Sequence, residues 1–312
     1  MQPTVLSLDQ LPSFYAEHLA ANFDFHHNVS KDDLSTIDKL APQVRAIACK
    51  GETVLSGETM ARFPKLEAIA VCGVGYDGVD VAAARARGIK VSNTPEVLTD
   101  DVADLAIALM LAVSRRIVGA DQYVRSGAWG KEPLALARRV SGARLGMVGL
   151  GRIGQAIATR AEGFGMSIAY TARSAKPALP YTFYASPREL AENVDFLIVA
   201  TFGGPTTRGL VGREVLDALG PNGYLVNIAR GSVIDEDELV LALQEKRIAG
   251  AGLDVFVAEP KVPAALLAMD NVVLTPHIGS ATVGTRQAMA DLAYANLAAH
   301  FAGQPLITPI PA

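Results

Sequence analysis

Three side chains, Arg230, Glu259 and His277, offer the first chemistry in this sequence. Arg230 follows the apolar run Leu225-Val226-Asn227-Ile228-Ala229, Glu259 ends Leu253-Asp254-Val255-Phe256-Val257-Ala258, and His277 follows Leu274-Thr275-Pro276. Runs of this kind read as strands, and ligands of open α/β sheets bind at the carboxyl edge where such residues stand. A planar guanidinium grips two oxygens at once. An imidazole exchanges protons near neutral pH, and a carboxylate on its other ring nitrogen fixes its orientation and favours the charged form. Taken singly, each residue is ambiguous, since a histidine after a strand is commonly structural. Together they supply what reduction of a 2-keto acid needs.

A second constellation is Gly149-Leu150-Gly151-Arg152-Ile153-Gly154, preceded by the strand pattern Arg144–Val148 and followed by a helix from Gln155. In a GxGxxG turn the first glycine permits the tight turn, the second lets the backbone approach a pyrophosphate, and the third lets helix and strand pack closely. The helix N-terminus adds free N–H groups and the positive end of its dipole. The motif alone is weak; its place between a strand and a helix strengthens it. An NAD site of this type carries an acid about 20 residues on, but the next strand runs into Thr171-Ala172-Arg173-Ser174, with Lys176 close by. Arg173 and Ser174 suit a 2′-phosphate by charge and hydrogen bonding. This points to NADP(H), with NAD(H) possible; the competing reading is that Arg173 and Lys176 are solvated loop charges.

The elements that must position these residues alternate. Thr4–Leu8, Ala46–Cys49, Ala68–Val71 and Lys90–Ser92 read as strands, with helices around Pro12–Ala21, Leu34–Leu40 and Val81–Arg87. Thr99-Asp100-Asp101 signals the start of a long apolar helix reaching Arg115-Arg116, with acids and arginines each at the favoured end of the dipole. A second amphipathic helix covers Ile117 to Gly127. Six further strands follow, at Arg144–Val148, Ser167–Tyr170, Phe196–Val199, Tyr224–Asn227, Ala251–Leu253 and Val272–Leu274, and a strong helix spans Thr282–Phe301. The pattern predicts an α/β protein of two doubly wound parallel sheets, a Rossmann-type cofactor domain (99–284) inserted into a flavodoxin-like domain (1–98 plus 285–312).

Composition narrows the classes. The 312 residues suit two domains, and a formal net charge of -4 argues against a nucleic-acid surface. Cys49 and Cys72 are the only cysteines, with no histidine at metal spacing, so neither a disulfide framework nor a metal site is expected. Met1 to Asp9 lacks the pattern of a signal peptide. The apolar run Leu105–Val113 is too short to span a bilayer. The cytoplasm is the expected address, with no membrane or nucleic-acid partner.

The chain resembles the D-isomer-specific 2-hydroxyacid dehydrogenase family over nearly its full length. The segments that carry this are Gly73-Val74-Gly75-Tyr76-Asp77, Asn93-Thr94-Pro95, Gly149 to Gly154, Asn227 to Gly231, Gly252 to Pro260 and Pro276 to Ser280. Val97 to Ala106 and Ala172-Arg173-Ser174 are similar to the NADPH-using glyoxylate/hydroxypyruvate reductases within it, especially the plant-type hydroxyphenylpyruvate reductases. The resemblance implies a D-hydroxy acid product, Arg230 on the substrate carboxylate and keto oxygen, His277 as general acid and Glu259 as its partner. It also implies substrate carboxylate binding by the N–H groups of Val74 and Gly75 and a pyrophosphate covered by Leu150, Gly151, Arg152 and Ile153. Ala172, Arg173 and Ser174 would meet the adenosine phosphate, Ile228 would make a backbone contact beside the nicotinamide, and Asp254 would contact its carboxamide. A homodimer built on the long helices is implied as well, with Trp129 either an interface anchor or a visitor to the neighbouring site. One departure stands out: many relatives have Pro-Leu-Thr beside the cofactor where this chain has Thr201-Phe202-Gly203-Gly204-Pro205-Thr206-Thr207. Phosphoglycerate dehydrogenase-like activity and a non-catalytic NADP(H) sensor are the alternatives. Formate dehydrogenase is disfavoured, because it uses Gln where this chain has Glu259.

Overall fold

The computed structural model describes residues 2–311, which divide into two compact units, 2–98 with 280–311 and 99–279. The first unit opens with β1 (Thr4–Leu6), α1 (Ser13–Asn22), β2 (Asp24–His26), α2 (Leu34–Leu40), β3 (Val44–Lys50), α3 (Gly57–Ala61), β4 (Ala68–Cys72), α4 (Val81–Ala86) and β5 (Lys90–Ser92). Its sheet runs β2-β1-β3-β4-β5, all parallel, the order of a flavodoxin-like domain. β4 is buried along its whole length, as expected of a central parallel strand covered on both faces. Its Ile69 and Val71 share a core with Leu6, Ile47, Met60 and Phe63. Each such aliphatic side chain contributes about 1.5–3 kcal/mol on burial. Asp33, Ser56 and Asp80 cap α2, α3 and α4 through side-chain oxygens that accept from the N–H three residues on.

The second unit begins with α5 (Thr99–Ser114) and α6 (Ile117–Arg125). It continues with β6 (Arg144–Val148), α7 (Arg152–Glu162), β7 (Ser167–Thr171), β8 (Thr182–Phe183), α8 (Pro187–Ala191), β9 (Phe196–Val199), α9 (Arg213–Leu219) and β10 (Tyr224–Asn227). A 3-10 turn at Gly231–Val233 leads to α10 (Glu236–Gln244), β11 (Gly250–Leu253), α11 (Ala264–Leu267) and β12 (Val272–Leu274). The sheet order β12-β11-β10-β9-β6-β7-β8 is that of a Rossmann domain, with the crossover between β9 and β6. α5 lies against β10, β11 and α7, and Arg160 of α7 pairs with Asp100 and Asp104 of α5 at 3.0 and 2.5 Å. Val148, Leu197, Val199, Leu225, Leu239 and Leu253 belong to its core. The chain then returns to the first unit through α12 (Val283–Phe301), which packs on α1 and β4.

Three short elements depart from the expected pattern. β2 is an edge strand with Asp24 exposed and its other residues half-buried, so it has no apolar alternation to read. β8 has only two residues, and α3 is a single capped turn. The first unit resumes at Ser280, not at the expected 285, and the Thr282 hydroxyl caps α12 by accepting from Thr285 N–H at 3.3 Å. No helix among the described residues is long and apolar enough to cross a membrane.

Candidate active site

Arg230, Glu259 and His277 all leave the carboxyl edge of the second unit's sheet, after the neighbouring strands β10, β11 and β12. The turn after β10 is stapled by Asn227, a side chain 1% exposed. Its Oδ1 accepts from Ala229 N–H at 3.0 Å and its Nδ2 donates to the Arg230 carbonyl at 3.0 Å. The Arg230 guanidinium is steadied by a 2.7 Å bond to the Ala229 carbonyl. Directly after it, Gly231 packs against the backbone of the β11 exit. A Cβ there would stand 2.0 Å from the Phe256 carbonyl carbon, so only glycine lets this turn seat.

The His277 turn is fixed by Asp254, 1% exposed. Its carboxylate accepts from Thr275 Oγ1 at 2.6 Å, Ile278 N–H at 2.8 Å and Gly279 N–H at 2.9 Å. His277 N–H donates to the Asp254 carbonyl at 2.9 Å. At φ 54° His277 adopts the left-handed conformation, which costs of order 1–3 kcal/mol and persists only where surrounding bonds over-determine it. Asp254, expected to contact a carboxamide, has an internal role in the structure. Three of its roughly four acceptor positions are taken by the turn that carries His277. Burial raises the Asp254 carboxyl above the ordinary carboxylate range, against the pull of Thr275, the turn N–H groups and His277.

One ring nitrogen of the imidazole is committed to a carboxylate. His277 Nδ1 lies 2.8 Å from Glu259 Oε2, with the two side chains 36% and 29% exposed. Glu259 Oε1 accepts from Phe256 N–H at 3.0 Å, so both carboxylate oxygens are engaged and the pair is rigid. Burial pushes the Glu259 carboxyl up. Hydrogen bonds from His277 and Phe256 and the charges of His277 and Arg230 outweigh it, leaving the group below its ordinary value. The pair's contribution to stability is therefore complete above the unfolded carboxylate pKa and is lost as pH falls through the lowered folded one. With Nδ1 bonded to a carboxylate, proton exchange with a ligand is the task of Nε2.

The glycine loop joins β6 to α7. Gly149 has φ 94°, and a Cβ on it would stand 2.8 Å from the Ala200 carbonyl oxygen; one on Gly154 would stand 2.5 Å from the Gly149 carbonyl oxygen. Gly151 caps α7 with no side chain over the first N–H groups and has open space on its Cα face. This is a cradle an anion fits, by backbone donors and helix dipole. Arg152 begins α7 and is exposed, Ile153 is half-buried, and Leu150 is 1% exposed, so Leu150 faces the core and offers a ligand only its backbone. Ala172, Arg173 and Ser174 follow β7, with Arg173 and Ser174 exposed. Ile228 follows β10 directly, buried, its N–H 3.4 Å from the Val199 carbonyl. In the first unit, the Val74–Gly75 turn after β4 is held by its own carbonyls: Gly73 accepts from Thr94 N–H at 2.9 Å and Val74 from Asn93 Nδ2 at 2.8 Å. Among the described residues, no group of three or more His, Cys, Asp or Glu is placed to hold a metal ion.

Sequence reasoning missed Asn227, Gly231 and Thr275 as supports of the site. A polar residue closing or following an apolar strand was the available signal for Asn227 and Thr275; Gly231 is legible only once the β11 exit lies beside it.

Comparison with known proteins adds a lineage to this geometry. The family described as D-isomer specific 2-hydroxyacid dehydrogenase, NAD binding domain, matches residues 107–279. Hydroxyphenylpyruvate reductase of Plectranthus scutellarioides is 52% identical over 270 residues, covering 86% of each chain. The 2-ketogluconate reductase of Gluconobacter oxydans is 45% identical over 309 residues, covering 99% of each. Among solved structures, the NADPH-dependent glyoxylate/hydroxypyruvate reductase of Sinorhizobium meliloti, in complex with NADP and malonate, superposes with a TM-score of 0.94. It is 44% identical and covers 99% of this chain and 97% of its own.

Proposed function

Because the chain belongs to the D-isomer specific 2-hydroxyacid dehydrogenase family, we propose that Arg230, Glu259 and His277 carry its reduction of a small 2-keto acid to the D-2-hydroxy acid. The protein is an NADP(H)-dependent oxidoreductase of the glyoxylate/hydroxypyruvate reductase kind, and other members of the family use NAD(H). The observation that carries the residue assignment is the 2.8 Å bond between His277 Nδ1 and Glu259, which backs the imidazole with a carboxylate, the arrangement that favours its protonated, acid form.

When bound, the dihydronicotinamide supplies the hydride. Arg230 orients the keto acid by its carboxylate and polarises the carbonyl through a planar pair of donors. The proton on His277 Nε2 goes to the keto oxygen as negative charge develops there, and Glu259 stabilises the imidazolium before transfer. Asp254 and Asn227 hold the two turns in register, so the acid and the clamp need no rearrangement at the moment of reaction. In the first unit, taken by itself, the N–H groups of Val74 and Gly75 are proposed to donate to a carboxylate, since a bare backbone turn approaches an anion closely.

Glyoxylate and hydroxypyruvate, named for relatives from Arabidopsis thaliana and Sinorhizobium meliloti, are the first substrates to test. Arg173 and Ser174 are assigned to the 2′-phosphate. Arg173→Asp should raise the KM for NADPH and shift preference toward NADH, by at least tenfold in the ratio of kcat/KM if one charge-assisted bond of about 1.5–3 kcal/mol is lost. An unchanged ratio would return Arg173 to the status of a solvated charge.

A homodimer on α6 and the segment after it completes the proposal, with the cytoplasm as its address. Ile117, Val118, Val124, Trp129, Leu134 and Leu136 are 47–98% exposed, a density of large apolar groups that signals an interaction surface. Sedimentation should give twice the 32.8 kDa chain mass, reverting to one on Leu136→Asp with Trp129→Asp. A wild-type monomer would refute the assembly.

A further inference from the structure

The loop that departs most from the expected pattern, Thr201–Thr207, lies beside the glycine loop. β9 neighbours β6, Ala200 N–H donates to the Val148 carbonyl at 2.9 Å, and the Ala200 carbonyl is what excludes a Cβ at Gly149. Three residues past β9 stands Phe202, 56% exposed. Exposure of so large an apolar ring next to a ligand cradle calls for a reason. It has a partner from the other flank: the Arg173 guanidinium carbon lies over the Phe202 ring, 5.4 Å from its centroid.

Phe202 is not presented by chance. Thr207, 8% exposed, turns its hydroxyl back into the loop, donating to the Phe202 carbonyl at 2.8 Å and approaching the Gly204 carbonyl at 3.3 Å. Its N–H also donates to Gly204 at 3.2 Å. A buried hydroxyl thus fixes the loop whose tip carries the ring. A guanidinium on a three-methylene stem has many rotamers to lose on binding a phosphate. A ring that attracts its flat face removes part of that loss in advance.

We infer that Phe202 is a specificity-determining positioning residue for the cofactor. By stacking on Arg173, its ring holds the guanidinium beside the glycine loop for a 2′-phosphate, which favours NADPH over NADH. This rests on the proposed NADP(H) site and adds to it a residue that does not itself meet the phosphate. The chemistry selected is an adenosine bearing a 2′-phosphomonoester.

The test is direct binding to the intact protein by calorimetry, with 2′,5′-ADP and 5′-AMP as probes. Phe202→Leu should weaken 2′,5′-ADP about two- to fivefold, the size of an exposed cation–π contact, and leave 5′-AMP unchanged. Phe202→Trp, which keeps a π face, should restore 2′,5′-ADP affinity. In an Arg173→Ala background, Phe202→Leu should have no further effect on 2′,5′-ADP, because the two act as one unit. Equal weakening of both nucleotides, or an undiminished effect in that background, would overturn the assignment and leave the NADP(H) site standing. Wild-type protein that binds 2′,5′-ADP no more tightly than 5′-AMP would overturn the site itself, and Phe202 with it.

Discussion

Replacing His277 with Asn should lower kcat for keto acid reduction about 10²–10⁴-fold, the usual worth of a positioned general acid, while NADPH still binds. The loss falls on kcat because the step removed is protonation of the alkoxide, which matters in the transition state and not in the bound substrate. Asn fits the site sterically and, like His, tolerates the left-handed backbone at φ 54°, so the turn held by Asp254 survives. Its amide can still donate to Glu259, which keeps that carboxylate paired at low solvent exposure. What it cannot do is release a proton. A change of less than about tenfold would remove His277 from the chemistry, since water alone would then be serving as the acid.

Arg230→Gln has the second largest expected effect, a fall of about 10²–10³ in kcat/KM, comparable to deleting one preorganised donor to a developing oxyanion. Here KM should rise together with a lower kcat, because the guanidinium both binds the carboxylate and polarises the carbonyl. Arg230→Lys restores the charge but not the fork of donors, so KM should recover more than kcat. The backbone staple from Asn227 involves only the Ala229 N–H and the Arg230 carbonyl, and neither substitution disturbs it. A second consequence follows from the charge of Arg230, which helps hold the Glu259 carboxyl low. With Gln at 230, acid inactivation should set in at higher pH. Thermal stability measured alongside separates this from unfolding: an unchanged Tm with lost activity locates the effect in the site.

Much of this arrangement is legible from residue types and spacing. The buried parallel strands announce themselves as apolar runs, because strands covered on both faces need no polar alternation, and the residues just beyond β10, β11 and β12 inherit the carboxyl edge. β2 and β8 escape for the complementary reason: an exposed edge strand and a two-residue strand pair by backbone hydrogen bonds, which carry no side-chain signature. The roles of Asp254 and Thr275 escape because they depend on a turn closing in three dimensions. An aspartate one residue past a strand reads equally well as a ligand contact or as a clamp, and only the 2.6–2.9 Å bonds to Thr275, Ile278 and Gly279 bring the clamp into view. Phe202 is the sharpest case. The departure of its loop from relatives is visible in the sequence, but its stacking on Arg173 joins residues from the ends of β9 and β7, and no local pattern encodes that meeting.

The pH dependence of kcat, measured with NADPH and glyoxylate for wild type and Glu259→Gln, reaches the heart of the assignment. Reduction needs the protonated imidazole, and the carboxylate on Nδ1 favours that form. Activity should therefore decline on the alkaline side in both proteins, with the decline moved to lower pH when Glu259 loses its charge. Superimposable alkaline limbs, or a reduction rate with no alkaline decline, would mean that the Glu259–His277 pair does not supply the proton.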